Sequence, residues 1–181
     1  MSHPTLRRSG AFLASVGLLA SLAVAAVAAP AAAGNCQKFT GSFDAGVTCY
    51  YATGFISIYL VPAGVTLNGA DTLNFIGQVD GTYNGGSETD LIESNTGTVN
   101  GGPGGDRVFT NAGTFNGGPG GDLADDNGYN ATFDPIQATF NGGSGNDRVL
   151  NNSALGVFAG GGGSDCYNGP ANGTIWSATP C

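Results

Sequence analysis

The chain has 181 residues, with 33 Gly, 5 Lys or Arg and 13 Asp or Glu, so its formal net charge is −8. A chain this acidic repels the phosphates of nucleic acids and the headgroups of anionic lipids, and it attracts cations. Nucleic-acid binding is therefore excluded, and metal ions are the partners that the charge favours.

Residues 1–33 have the pattern of a secretory signal peptide. Arg7 and Arg8 supply the positive start, an apolar stretch runs from Ala11 to Ala29, and residues 30–33 are typical of a cleavage site. A membrane anchor is the alternative, but the Ala-rich stretch and its small-residue exit favour cleavage. We expect a secreted, extracellular protein that is not inserted in a membrane once the signal is removed.

Residues 34–64 are predicted to cap the N-terminal end of the fold, with an apolar strand over residues 55–61 that Pro62 terminates. Residues 173–181 are predicted to close the other end.

The four cysteines form two terminal pairs in the sequence, Cys36 with Cys49 and Cys166 with Cys181. A secreted chain favours disulfides. Four cysteines allow three connectivities. The two local pairings are favoured because each would pin one end of the fold, where an exposed strand edge needs protection.

Between the caps, residues 65–172 repeat one phrase: a Thr, a large apolar residue and an Asn, followed by a Gly-rich turn, with Val157 and Ala159 as the exceptions in one repeat. The apolar member lies at Leu67, Tyr83, Val99, Phe115, Phe140, Phe158 and Ile175. The first three intervals are 16 residues, and the next three are 25, 18 and 17. This alternation is typical of a strand that points its apolar residue inward and its neighbours outward.

A second short strand follows each Gly-rich turn, as at residues 107–109, and an Asn-containing turn follows that strand, as at residues 111–113. No single repeat of strand, turn, strand and turn can bury its own apolar side, but stacked repeats can. The sequence therefore predicts an all-β parallel β-solenoid or β-roll of about six to seven coils. A disordered Gly-rich linker is the alternative, but a linker has no reason to place an apolar residue every 16 positions.

The 25-residue repeat carries an extra segment at residues 129–137. Insertions of this kind bulge from one face of a solenoid, either at a binding face or as a neutral surface loop. The long interval between Asp122 and Asp147 could break the stack of turns at this point.

Four turns have the sequence Gly-Gly-x-Gly-x-Asp, at residues 101–106, 117–122, 142–147 and 160–165, and a degenerate fifth lies at 85–90. Calcium takes six to eight hard oxygen ligands. A Gly-rich turn can direct backbone carbonyls inward, its Asp adds charge, and two stacked turns can share an ion. Without a cation, a column of aspartates repels itself. The pattern therefore indicates Ca²⁺ as a cofactor; the alternative is that these turns are good solenoid corners without metal.

These turns resemble the calcium-binding repeats of the RTX (haemolysin-type) family, whose motif is Gly-Gly-x-Gly-x-Asp-x-apolar-x. The resemblance covers residues 85–168, under half of the chain. It implies a parallel β-roll that folds on binding calcium between stacked turns. The metal-site residues that it implies are Asp90, Gly101, Asp106, Gly117, Asp122, Gly142, Asp147, Gly160 and Asp165.

The spacing of the motif departs from that family. The family repeats the motif about every nine residues, twice per coil, whereas here it occurs once per coil. Calcium is therefore expected along one edge only, with an asparagine ladder along the other.

No catalytic residue is predicted. The single His, His3, lies in the signal segment, which leaves the rest of the sequence without an imidazole for acid–base or zinc chemistry. Carboxylates at matched repeat positions are better explained as metal ligands than as a glycosidase pair. Arg107 and Arg148, candidates for the basic residue of a lyase, simply follow a repeat Asp. We expect a calcium-binding module and not an enzyme.

A second interpretation is a surface-recognition solenoid with a glycan, a cell-surface partner or ice. Its outward ladder of Thr82, Thr98, Thr114 and Thr139, with the neighbouring Asn residues, could match an ordered surface. Thr also favours strands for its own reasons, so the ladder alone does not establish a binding face.

Overall fold

The computed structural model describes residues 48–50, 56–69, 72–130, 132–168 and 173–181. These residues form sixteen β-strands, and none of them lies in a helix that could cross a membrane. In chain order the strands are β1 Thr48–Tyr50, β2 Ile56–Val61, β3 Thr66–Asn68, β4 Asn74–Val79, β5 Thr82–Asn84, β6 Asp90–Asn95, β7 Thr98–Asn100, β8 Arg107–Asn111, β9 Thr114–Gly120, β10 Leu123–Asn127, β11 Ala138–Gly145, β12 Arg148–Asn152, β13 Gly156–Gly163, β14 Cys166–Tyr167, β15 Thr174–Trp176 and β16 Thr179–Pro180.

The strands form two eight-stranded sheets in which all neighbours are parallel. One sheet contains the odd-numbered strands in order and the other contains the even-numbered strands, so each coil gives one strand to each. We call them the odd sheet and the even sheet. The predicted parallel β-solenoid is confirmed, with about seven coils.

The register of the odd sheet keeps like residues together, and this builds the core. The apolar residues of successive coils pair with one another and are fully or almost fully buried. Phe115 and Phe140 stack with ring centroids 4.7 Å apart, and Phe158 continues the stack at 5.0 Å. The even sheet faces them with the buried residues Ile58, Ile76, Ile92, Val108, Ala124 and Val149. The inward direction predicted for the apolar residues is correct.

The ranges predicted as caps supply strands to both sheets. The apolar strand expected at residues 55–61 is β2, which pairs in register with β4. At the other end, β15 and β16 complete the sheets, and the expected Cys166–Cys181 disulfide is present with its Cα atoms 5.1 Å apart. The signal segment and Cys36, with its expected pairing to Cys49, lie outside the described residues.

The expectation that the long repeat could break the stack is wrong. Strands on both sides of it pair in register, β9 with β11 and β10 with β12. The extra residues form a closed excursion: Tyr129 bridges Pro135, and the backbone N–H of Ile136 donates to the carbonyl of Gly128 at 2.8 Å. The insertion leaves and re-enters the coil at neighbouring points, so the coil above is not displaced.

Candidate metal site at the aspartate edge

Each Gly-Gly-x-Gly-x-Asp turn carries the chain from the odd sheet to the even sheet, and its Asp stands at or just before the start of the even strand. The Asp side chains point into the solenoid, with exposed fractions between 0 and 4%. We call this set the aspartate column: Asp90, Asp106, Asp122, Asp147 and Asp165.

One oxygen of each carboxylate is held by the backbone of the neighbouring coil. Oδ1 of Asp106 accepts the N–H of Asp90 at 2.8 Å, and the same bond recurs along the column at 2.8 to 2.9 Å, through Asp122, Asp147 and Asp165. At the N-terminal end, Asn74 donates to Oδ1 of Asp90 from its backbone N and its Nδ2 at 3.0 and 2.7 Å. These bonds fix the carboxylates in one orientation.

The second oxygen, Oδ2, is buried in every member of the column, and among the described residues it has no hydrogen-bond partner in Asp106, Asp122, Asp147 and Asp165. Asp90 differs, because burial raises its pKa but hydrogen bonding with the Tyr83 hydroxyl and with the backbone of Gly86 lowers it. Oδ2 lies against the first Gly of its own turn and close to a carbonyl of the next turn. A Cβ added to Gly117 would be 2.1 Å from Oδ2 of Asp122 and 2.7 Å from the carbonyl oxygen of Gly142. The first position of the motif is therefore Gly because any side chain would strike both oxygens.

The predicted site residues come together in this way in four coils. Asp90 Oδ2 and Gly101 O both lie beside the position that a Cβ on Gly85 would take. The pairs Asp106 Oδ2 with Gly117 O, Asp122 Oδ2 with Gly142 O and Asp147 Oδ2 with Gly160 O lie in the same way beside Gly101, Gly117 and Gly142. Asp165 closes the column without a further motif turn beyond it. Each of the four groups offers one carboxylate and one carbonyl oxygen, the hard donors that calcium prefers.

The other motif glycines are required by the backbone. Gly118 and Gly120 have φ values of +116° and +152°, which residues with a side chain rarely adopt. A Cβ on Gly120 would also overlap the carbonyl of Gly104 in the preceding coil. The third position has neither constraint, which explains why Pro119, Ser144 and Gly162 are all tolerated there.

Burial disfavours charge on the column. Loss of hydration raises the pKa of Asp106 and Asp122 to about 7 and that of Asp147 to about 6, against an ordinary value of 3.8. The backbone N–H bonds lower these pKa values, and the neighbouring carboxylates raise them again. Desolvation also raises the pKa of Asp90. The buried column is therefore neutralised in one of two ways, by protonation of its carboxylates or by cations bound to the ionised form.

The site is not a cluster of acidic side chains around a point. Among the described residues, no three His, Cys, Asp or Glu side chains converge in the manner of a metal cage. A calcium shell here would combine the column's carboxylates with Gly carbonyls and water. The donor chemistry fits Ca²⁺, and it offers no nitrogen or sulfur for a softer metal.

The opposite edge of the solenoid is satisfied without any ion. Buried Asn95, Asn111, Asn127 and Asn152 form a ladder in which each Nδ2 donates to the next Oδ1 at 2.7 to 2.8 Å. The amides of the first three also donate to backbone carbonyls of the odd sheet at 2.9 to 3.0 Å. The asparagine ladder predicted for this edge is confirmed, and it contrasts with the unpartnered oxygens of the aspartate column.

Two residues of the site are not indicated by the Gly-Gly-x-Gly-x-Asp motif. Asn74 occupies the Asp position one coil before Asp90, and extending the 16-residue period backwards would have found it. Tyr83 places its buried hydroxyl beside Asn74 and close to Asp90, and burial raises the pKa of that hydroxyl. No sequence signal separates Tyr83 from the other core residues of the odd sheet.

No family model, curated protein or solved structure matches the chain.

Proposed function

We propose that this protein is a secreted calcium-binding β-solenoid, in which Ca²⁺ held between stacked turns neutralises the aspartate column. The observation that supports this most directly is the buried, unpartnered Oδ2 in four successive coils, from Asp106 to Asp165. A buried carboxylate with an unsatisfied oxygen is costly, and a cation removes the cost by supplying both charge and coordination.

The proposed ligands are the Oδ2 atoms of the column and the carbonyl oxygens of Gly101, Gly117, Gly142 and Gly160. Five carboxylates define four intervals between coils, so the ions are arranged along one edge only. Water completes each shell to the six to eight oxygens that calcium takes.

Calcium binding and stability are linked in this proposal. An ion that binds the folded chain and not the unfolded chain raises the free energy of unfolding by RT ln(1 + c/Kd) at each site, where c is the free calcium concentration. The calcium-free solenoid, with its column uncompensated at neutral pH, is the less stable form.

The test is a calcium titration by calorimetry at pH 7.5, with circular dichroism in calcium-free buffer and after calcium is added. We expect saturable binding of several ions, a gain or sharpening of β structure and a higher melting temperature, with a much weaker effect of Mg²⁺ because it demands a rigid octahedral site. A chain that stays folded and shows no calcium heat would refute the proposal and leave the turns as metal-free corners.

A second candidate function uses the outer face of the odd sheet. Thr66, Thr82, Thr98, Thr114 and Thr139 are in register there. Beside them runs a chain of amide bonds at 2.7 to 2.8 Å in which Asn141, Asn116, Asn100 and Asn84 each donate to the Asn one coil earlier. This regular array favours recognition of an ordered surface such as ice or a glycan lattice. Absence of thermal hysteresis and of partitioning into ice would exclude the ice version.

A further inference from the structure

The outer face of the even sheet carries a slot that the calcium proposal does not use. Tyr59 of β2, Gly77 of β4 and Glu93 of β6 occupy equivalent outward positions in three successive coils. The register places them side by side, because the residues just before them pair with one another and so do the residues just after them, namely Ile58, Ile76 and Ile92, and Leu60, Gln78 and Ser94. Because Gly77 has no side chain, the column has a gap between Tyr59 and Glu93 that spans about 10 Å, two strand spacings.

Replacing Gly77 with a residue that has a side chain cannot fill the gap without disturbing the packing of the strands. A Cβ on Gly77 would lie 2.6 Å from the carbonyl oxygen of Tyr59, so the packing of β2 on β4 requires Gly at this position. The slot is therefore built into two paired strands and does not depend on the conformation of a loop.

The lining combines an aromatic wall with hydrogen-bonding groups. The slot has a volume of about 360 Å³ and is lined by Tyr59, Gly77, Gln78, Glu93, Ser94 and Thr110. Tyr59 is 82% exposed although it is a large aromatic residue on a regular strand. Gln78 is oriented by a bond from its Nε2 to Oδ1 of Asp80 at 2.7 Å. The volume lies at the lower end of the range for small-molecule sites.

We propose that this slot binds a neutral sugar unit of an oligosaccharide or polysaccharide. The exposed ring of Tyr59 offers an apolar face on which the C–H face of a pyranose can stack. The carboxylate of Glu93 accepts hydrogen bonds from vicinal hydroxyls, and the amide of Gln78 with the hydroxyls of Ser94 and Thr110 can both donate and accept. Such a mixture suits a ligand made of hydroxyl groups.

Charge narrows the class of ligand. Among the residues that the structure describes, no Lys or Arg lines the slot, and Glu93 is the one carboxylate in its lining. The carboxylate repels uronic acids, sulfated sugars and phosphates, and the formal net charge of −8 adds to that repulsion. The slot therefore selects neutral hexoses or N-acetylated amino sugars. It lies on the opposite face from the Thr and Asn array, so it is a separate site.

The experiment uses the secreted chain with saturating calcium, probed with an array of cello-, malto-, manno- and chito-oligosaccharides and with oligogalacturonate. The strongest neutral binder is then titrated by NMR. We expect one or more neutral series to bind, amide shifts that centre on Gly77 and Ser94, and no binding of oligogalacturonate. Tyr59→Ala should weaken binding about tenfold or more, and Glu93→Gln should weaken it by a smaller factor.

The matched control for the aromatic wall is Phe133→Ala, which removes another exposed aromatic, 67% accessible, from the insertion. This variant should bind as the unmodified chain does. The proposal is overturned if no neutral series binds, if oligogalacturonate binds as well as they do, or if Tyr59→Ala keeps full affinity. Because both Tyr59 and Glu93 are exposed, these variants leave the core intact and a loss of binding reports on the slot.

Discussion

Oδ1 of Asp147 accepts the backbone N–H of Asp122 at 2.8 Å, although 25 residues separate the two. The same bond joins Asp106 to Asp122 at 2.8 Å across the ordinary 16 residues. The column of carboxylates is therefore continuous through the insertion, and any ion row that it holds need not be divided into two halves.

The first Gly of the motif is predicted to be essential for stability. Gly117→Ala places a Cβ 2.1 Å from Oδ2 of Asp122, and the backbone of the next coil prevents an easy adjustment. We expect the free energy of unfolding to fall by about 1–3 kcal/mol or more. Gly162→Ala is the control, since nothing lies within 4 Å of its added Cβ. Urea unfolding measures both, and equal effects of the two substitutions would contradict the packing described.

The buried asparagine ladder should be far more sensitive than the outer one. Asn111 donates to Oδ1 of Asn127 and to the carbonyl of Thr139, and it accepts from Nδ2 of Asn95. Asn111→Ala leaves several buried groups unpaired and should cost about 2–4 kcal/mol. Asn100→Ala, in the partly exposed outer ladder, should cost about 1 kcal/mol or less because water replaces its partners. Thermal unfolding of the two variants tests the difference, and a reversed order would be inconsistent with the structure.

The calcium-free protein should become less stable as the pH rises. The pKa values of Asp106 and Asp122 are raised to about 7 by burial, so the folded state binds their protons more tightly than the unfolded chain does. Their contribution is fully present below about pH 4 and is lost as the pH rises through 7. Melting temperatures in metal-free buffer between pH 4 and 8 should show this fall. A rise in stability over that window, or a fall that persists unchanged in the Asp106→Asn, Asp122→Asn double variant, would argue against a buried ionisable column.

Deletion of residues 129–137 should be tolerated. The deletion returns the long repeat to 16 residues and joins Gly128 to Ala138, two points that already lie at the coil boundary. We expect a cooperative transition with a melting temperature within about 5 °C of the parent. Loss of cooperative unfolding would show that the insertion supports the coils beside it.

The sequence predicts the solenoid well because its core follows simple alternation. Phe115 and Phe140 stack since each sits between a Thr and an Asn in a strand, and strand geometry alone sends such residues inward. The same spacing indicates the asparagine ladder at Asn111 and Asn127.

Strand alternation does not predict the direction in which the aspartate side chains point. Gly118 and Gly120 adopt positive φ, so the turn does not obey strand alternation and the direction of the Asp122 side chain cannot be counted from its neighbours. The sequence also does not predict the slot beside Tyr59. The slot depends on which residue of β4 pairs next to Tyr59, and it is open because that residue, Gly77, has no side chain.

The most direct test compares calcium binding by two variants of one coil. Asp122→Asn keeps an oxygen for the N–H of Asp106 but removes the charge at the buried edge, while Asp126→Asn changes an outward carboxylate four residues later that accepts a bond from Asn151. Calorimetry should show fewer ions bound, or an affinity reduced about tenfold or more, in Asp122→Asn, and parental binding in Asp126→Asn. Identical calcium isotherms for the two variants and the parent would contradict calcium binding by the aspartate column.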